Sequence, residues 1–205
     1  MKVLMINGSP HENGTTKRAL MEVAFALNEN GIETEIITVG NLRVSGCIGC
    51  RGCASTGKCV YDDIVNVLIE KISNADGLVV GSPVYYASIN GVLKGILDRV
   101  FYAQKSFAHK PACGVVVARR AGTTATLDII NKYFMLANMP IVSSNYWNMV
   151  HGNNSTDAES DIEGLQTMRM LGKNMAWLLK SIDMAKTQGI NPPEVEKKIK
   201  TNFVR

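Results

Sequence analysis

The densest chemistry in the chain is the run Cys47-Ile48-Gly49-Cys50-Arg51-Gly52-Cys53, followed by Cys59, a C-x2-C-x2-C-x5-C spacing. Thiols two residues apart in a glycine-bearing loop can turn inward around one site. Gly46, Gly49, Gly52 and Gly57 leave the backbone free to curl and to offer N–H groups to sulfide. Such thiolate sets suit iron–sulfur clusters, whereas tetrahedral zinc typically takes two separated pairs. Zinc, a redox thiol and an empty loop stay open as alternatives. The fifth cysteine, Cys113, stands in an apolar run and reads as core.

Two further segments carry groups suited to a ligand. Asn7-Gly8-Ser9-Pro10-His11-Glu12-Asn13-Gly14-Thr15-Thr16-Lys17 follows an apolar run and leads into a helical pattern. Free N–H groups and the positive dipole end at a helix start make an anion site. Ser9, Thr15 and Thr16 add hydroxyls, Asn13 an amide, and Lys17 or a protonated His11 a charge. The plainer alternative is that these residues only cap the helix and shape a turn. Neither G-x-G-x-x-G nor G-x-x-x-x-G-K-[ST] occurs, which argues against a dinucleotide fingerprint and an NTPase loop. The second segment, Gly81-Ser82-Pro83-Val84-Tyr85-Tyr86-Ala87-Ser88-Ile89-Asn90-Gly91, offers Tyr85 and Tyr86 for stacking on a flat ring and backbone amides for its polar edge. Arg119-Arg120-Ala121-Gly122 adds cations for an electron-rich ring or a phosphate, and Gly122 permits a close backbone approach. One of the two arginines reads equally well as surface charge.

Short apolar strands alternating with helical patterns must position these loops. Strands are predicted at Lys2–Ile6, Glu33–Val39, Leu78–Val80, Cys113–Ala118 and Ile141–Ser143. Helices are predicted at Thr15–Asn28 and near Asp62–Ile72, Gly91–Phe101, Thr124–Ala137 and Ala158–Met184. That alternation implies an α/β doubly wound five-stranded parallel sheet with helices on both faces, where ligands lie beyond the carboxyl ends of the strands. Residues 1–187 form the expected domain, with 40–61 a cysteine-rich insertion. Residues 188–205, with Pro192-Pro193 and then Lys197, Lys198 and Lys200, read as a surface tail with a short polar helix.

Composition narrows the function. The 205 residues are 46% hydrophobic and 20% charged, so a folded core is expected and disorder is not. The net charge of +4, evenly spread, suits a small anionic ligand and gives no footprint for nucleic acid. No stretch reaches the roughly 20 apolar residues of a membrane span, and the opening apolar run is too short for a signal peptide. A cytoplasmic protein with reduced cysteines is expected. No Ser-His-Asp set or paired carboxylates suggest hydrolysis. Tyr146 to His151 reads as an interface or a local packing cluster, His109 as loop, and the ten methionines as core filler.

Gly8-Ser9-Pro10 through Thr16, then Ser82-Pro83-Val84-Tyr85-Tyr86 followed by Leu93-Lys94 and Leu97-Asp98-Arg99, resemble the NADPH-dependent FMN reductase branch of the flavodoxin-like superfamily. The resemblance runs over nearly the whole chain. It implies a flavodoxin-like fold and FMN bound non-covalently. The phosphate would lie on Ser9, His11, Asn13, Thr15 and Thr16, and the isoalloxazine against Pro83, Val84, Tyr85, Tyr86, Ala87 and Ser88 and the loop of Arg119, Arg120 and Gly122. His11 departs from the pattern, since many relatives place arginine there; a neutral imidazole would hold phosphate more weakly. With the compact cysteine run, the chain is most similar to the iron–sulfur flavoprotein family. That implies a [4Fe–4S] cluster on Cys47, Cys50, Cys53 and Cys59 beside the flavin. The resemblance further implies a flavin-dependent oxidoreductase with ferredoxin or NAD(P)H as electron donor, forming a homodimer or homotetramer. The alternatives are a non-enzymatic flavodoxin-type carrier, which the positive charge counts against, and an NAD(P)H-dependent FMN or quinone reductase without a cluster. No side chain is expected to act as acid or base.

Overall fold

The strand Lys2–Asn7 (β1) is apolar along nearly its whole length and buried from Val3 onward, as a strand covered on both faces must be. The computed structural model describes residues 1–86, 88–103, 107–196, 199, 201 and 203. After β1 come α1 (Thr15–Glu29), β2 (Glu33–Thr38), a one-turn α2 (Cys53–Thr56), α3 (Ile64–Asn74) and β3 (Gly77–Tyr85). These are followed by β4 (Ser88–Ile89), α4 (Gly91–Ala103), β5 (Ala112–Ala118) and α5 (Thr123–Leu136), then β6 (Met149–His151), α6 (Ser155–Ser160) and α7 (Ile162–Thr187).

The strands lie in the order β2-β1-β3-β5-β6, all parallel, with β4 turning back antiparallel on the end of β3. This is the flavodoxin-like order, and β1 lies between β2 and β3. Side-chain alternation divides the core into two. Leu4, Ile6, Leu78 and Val80 face α3, α4 and α5, while Val3, Met5, Val79 and Val115 face α1 and α7. The doubly wound α/β sheet expected from the sequence is therefore present.

Several elements differ from expectation: β3 runs past the expected Leu78–Val80 to Tyr85, taking in residues read as loop, and α2 and β4 have no counterpart in the expected pattern. The fifth parallel strand is Met149–His151, paired with Val116 to Ala118; Ile141 makes only an isolated bridge to Ala112. Ile141–Ser143 is apolar enough for a strand, but the chain leaves the sheet after Val142 and returns at Asn148, whose carbonyl accepts from the Val116 N–H at 2.9 Å. The long last helix is divided at Asp161, whose side chain accepts from the Gly164 N–H at 2.9 Å and starts α7. No described residue beyond Thr187 is helical, and Lys197, Lys198 and Lys200 lie outside the described residues. Among the described residues no helix is long and apolar enough to cross a membrane.

Glu22 joins α1 to α7. Its carboxylate, 11% exposed, accepts from Arg18 on its own helix at 2.6 Å and from Arg169 on α7. Burial pushes the Glu22 carboxyl up, but the hydrogen bonds from Arg169 and Arg18 outweigh it and hold the group below its ordinary range. A carboxylate depressed in this way contributes stability above its unfolded pKa of about 4.3 and loses it as pH falls through the folded value. Glu22→Gln is expected to cost about 1.5 kcal/mol at pH 7. The loss should begin to shrink below the unfolded pKa of about 4.3 and vanish only as pH falls through the lower folded value; urea denaturation at pH 7 and across the acid range checks this.

Candidate functional site

The first loop is fixed from beneath by the sheet. Gly8 donates its N–H to Gly81 O at 2.8 Å, which joins the carboxyl ends of β1 and β3. Buried Asn7 accepts the Ser9 N–H at 3.1 Å through Oδ1 and donates to Thr38 Oγ1 at 3.2 Å. Ser9 Oγ in turn accepts the His11 N–H at 3.1 Å. The turn after β2 presses so close that a Cβ on Gly40 would stand 2.3 Å from Gly8 O, a position only glycine fills. The loop is thus a rigid backbone turn.

At its far end α1 begins without help. Gly14 is extended, supplies no side-chain cap, and no acidic residue occupies the first turn. The opening N–H groups have no acceptor within the helix. By contrast α3, α6 and α7 are capped by Asp63, Asn154 and Asp161, and Asn90 Oδ1 accepts from Val92 and Leu93 at the start of α4.

This turn opens on a wide crevice. Ser9, His11, Asn13, Thr15 and Thr16 line one side, while Pro83, Val84 and Tyr85 line another with Arg119. The structure therefore brings the anion-suited turn and the aromatic loop to a single cavity. Ser9, Thr15 and Thr16 are buried; His11, Asn13, Tyr85 and Arg119 are exposed. Glu12 also reaches the wall.

Other residues singled out in the sequence stand outside that wall. Tyr86 is fully solvent-exposed with φ +51 at the tip of the β3–β4 turn, and Ser88 is engaged in β4 opposite Tyr85. Arg120 is exposed away from the crevice, so Arg119 is the arginine that faces it. Ala87 lies outside the described residues. Gly122 has φ +90 and starts α5, and a Cβ there would stand 2.8 Å from Val84 Cγ1. Its close approach is made to the neighbouring loop, which it allows to settle. Sequence reading missed Gly152, Asn153, Asn154 and Ser155, which complete the wall; Gly152 O accepts from Thr15 Oγ1 at 3.4 Å. They follow the fifth strand, so placing that strand at Met149 would have found them.

The cysteines of the loop occupy a different, shallow recess beside α4. All four line it, with Cys47 and Cys50 exposed and Cys53 and Cys59 half-buried. Asn66 pins Cys59 by accepting its N–H at 2.8 Å and donating to its carbonyl at 3.1 Å. Arg99 enters from α4 with its side chain 1% exposed. It donates to both Asp63 oxygens at 2.7 and 2.8 Å, to Ser45 O at 3.2 Å, and through Nε to Cys59 Sγ at 3.2 Å. Burial would lower the Arg99 pKa, but the bonds to Asp63 and Cys59 raise it above its ordinary value, so the charge is kept. Among the described residues no three Cys, His, Asp or Glu side chains stand close enough to hold a single metal ion. Cys113 is fully buried in β5, where burial pushes its thiol pKa up and makes it inert core.

Parallel strands in this order, with ligand-suited loops at their carboxyl ends, define a flavodoxin-like α/β protein. Residues 1–154 match the NADPH-dependent FMN reductase family, and the chain belongs to that family. Its class is that of the flavoprotein oxidoreductases. It is 35% identical over 191 residues to an iron–sulfur flavoprotein of Methanocaldococcus jannaschii, covering 89% of this chain and 99% of that one. Among solved structures it is similar to RosB with bound 8-demethyl-8-formylriboflavin-5'-phosphate, at TM-score 0.72 and 15% identity, covering 100% of this chain and 94% of that one. It is also similar to a flavodoxin from the domain Archaea, at TM-score 0.61 and 13% identity, covering 88% and 99%. The two structural likenesses show the fold.

Gly122→Val combines a disfavoured left-handed residue with a clash against Val84. It is expected to destabilise the protein by about 2–4 kcal/mol, read as a lowered melting temperature. Gly31→Val, at φ +76 but with nothing within 4 Å, should cost only the backbone part, about 1–2 kcal/mol.

Proposed function

We propose that the chain is an FMN-dependent oxidoreductase that holds the flavin non-covalently in the crevice and a [4Fe–4S] cluster on the cysteine loop. Reduced ferredoxin or NAD(P)H supplies the electrons. One observation carries the flavin reading. A rigid turn ending at an uncapped helix faces one cavity with Val84 and Tyr85 at the end of β3 and Arg119 after β5, so one molecule with an anionic end and a flat end can span them.

The residues fit the role. The N–H groups of α1 and the hydroxyls of Ser9, Thr15 and Thr16 would hold the phosphate, with His11 and Asn13 at the mouth. Val84 and Tyr85 would exclude water from one side of the isoalloxazine, and Arg119 would oppose the negative charge of its reduced form. Bound FMN supplies the electron-accepting ring; the protein positions it and tunes its potential. The donor set of the second recess fits a cluster by its chemistry, since four thiols ring one small hollow beside a buried guanidinium. A relative named as an iron–sulfur flavoprotein, matched over almost its whole length, supports the same assignment.

Replacing Thr15 and Thr16 together by Leu is expected to weaken FMN binding at least tenfold, measured by flavin titration with the fold monitored by circular dichroism. Wild-type affinity in the double variant would sink the phosphate cradle. Cys50→Ser should abolish iron and acid-labile sulfide from anaerobically purified protein while FMN stays bound. The variant should also lose bleaching of the flavin band by reduced ferredoxin. Retained iron and sulfide would remove Cys50 from the ligand set, absence of both from the wild-type protein would dispose of the cluster, and bleaching by NADPH alone would make nicotinamide the donor.

A further inference from the structure

We infer that Arg99 is a positioning residue that raises the reduction potential of the cluster through Cys59. The inference rests on the reading of the cysteine loop as a cluster site. Its basis is the contact of Arg99 Nε with Cys59 Sγ at 3.2 Å, made by a side chain only 1% exposed. The guanidinium has no freedom to turn away. Both Nη atoms are engaged by Asp63, at 2.7 and 2.8 Å, and Nη1 also reaches Ser45 O. The Tyr61 ring, 4.9 Å from Cζ, covers it. Asn66 holds the Cys59 backbone from the other side, so donor and sulfur are fixed independently of one another.

A stability role alone leaves the Nε contact unexplained. Asp63 by itself satisfies the charge, and an apolar residue at the Cys59 contact would serve packing. The consequence for a redox group is specific. Reduction adds one electron to the cluster and makes the ligating sulfurs more negative. A fixed cation and an N–H donor at one of those sulfurs stabilise the reduced state more than the oxidised one. The effect is larger at a buried contact than at Cys47 and Cys50, which stand in water. The Asp63 carboxylate, one guanidinium width away, opposes part of it.

Arg99 and Asp63 therefore pull the potential in opposite directions, which a merely structural pair would not do. The test is a potentiometric titration of the anaerobically reconstituted full chain, followed by the paramagnetic signal of the reduced cluster. Arg99→Gln is expected to lower the equilibrium constant for one-electron reduction about tenfold, a shift of about 59 mV to more negative potential. Asp63→Asn keeps a competent cap for α3 and removes the opposing charge, so its potential should move the other way. Arg99→Lys keeps the charge without the planar fork and covers the case in which Arg99→Gln does not fold; it should shift in the same direction by less. An unchanged potential in the Arg99 variants, or Arg99 and Asp63 variants moving together, overturns the role of Arg99 while leaving the cluster assignment standing. A wild-type chain that takes up neither iron nor sulfide overturns the cluster assignment, and this inference with it.

Discussion

Parallel pairing of one strand on both of its edges is the constraint from which the site follows. β1 pairs with β2 from Lys2 to Asn7 and with β3 from Val3 to Asn7. Its carboxyl end therefore opens inside the sheet, with the loops after β2 and β3 on either side. The chain cannot close this end as it closes the other, because every crossover must leave from it. The loops are short of helical or sheet partners there, and their free N–H groups are what a ligand meets. Close packing of Gly8, Gly40 and Gly81 sharpens the effect by removing side chains where backbones converge.

α4 spans from one recess to the other. Its first turn is set by Asn90, whose own N–H donates to Ser82 Oγ at 3.2 Å at the base of the ring-facing loop. Two turns further on, Arg99 reaches the cysteine loop. One helix thus fixes the spacing between the aromatic wall and the thiols. Asp63 connects the same arginine to the start of α3, and the guanidinium holds the loop from Gly40 to Tyr61 at Ser45 and at Cys59. Lacking much regular structure, this loop has few other means of holding a shape.

The sequence was legible where one period dominated. β1, β2, β5 and the helices α1, α4 and α5 appear within a few residues of where their patterns put them, because each buries one stripe or both faces continuously. The first loop could be read because hydroxyls crowd a strand-to-helix junction. The fifth strand could not be read, because Ile141–Ser143 is as apolar as Met149–His151 and only long-range pairing to β5 selects between them. That single choice also hid Asn153, Asn154 and Ser155. The separation of Tyr85 from Tyr86 was equally out of reach. Tyr85 is the last residue of β3 while Tyr86 turns away at φ +51, and only the antiparallel return of β4 onto β3 sets where that turn falls. Arg99 was legible as a motif residue, yet its contact with Cys59 joins segments forty residues apart, a separation that no local pattern encodes.

The broken fifth strand has a bearing on how the molecules behave in a crowd. An open parallel sheet leaves two rows of unpaired backbone groups, each a template for stacking onto a neighbouring sheet. Here the rim at β6 is only three residues long, and the chain between Val142 and Met149 detours beside it. The opposite rim, β2, carries Glu33 and Glu35 bound by Lys2 and Lys71, so any strand laid against it would have to displace charge. Both borders are thereby blunted against edge-to-edge aggregation, and a protein whose working loops must stay open at one end of the sheet keeps its flanks unattractive to copies of itself.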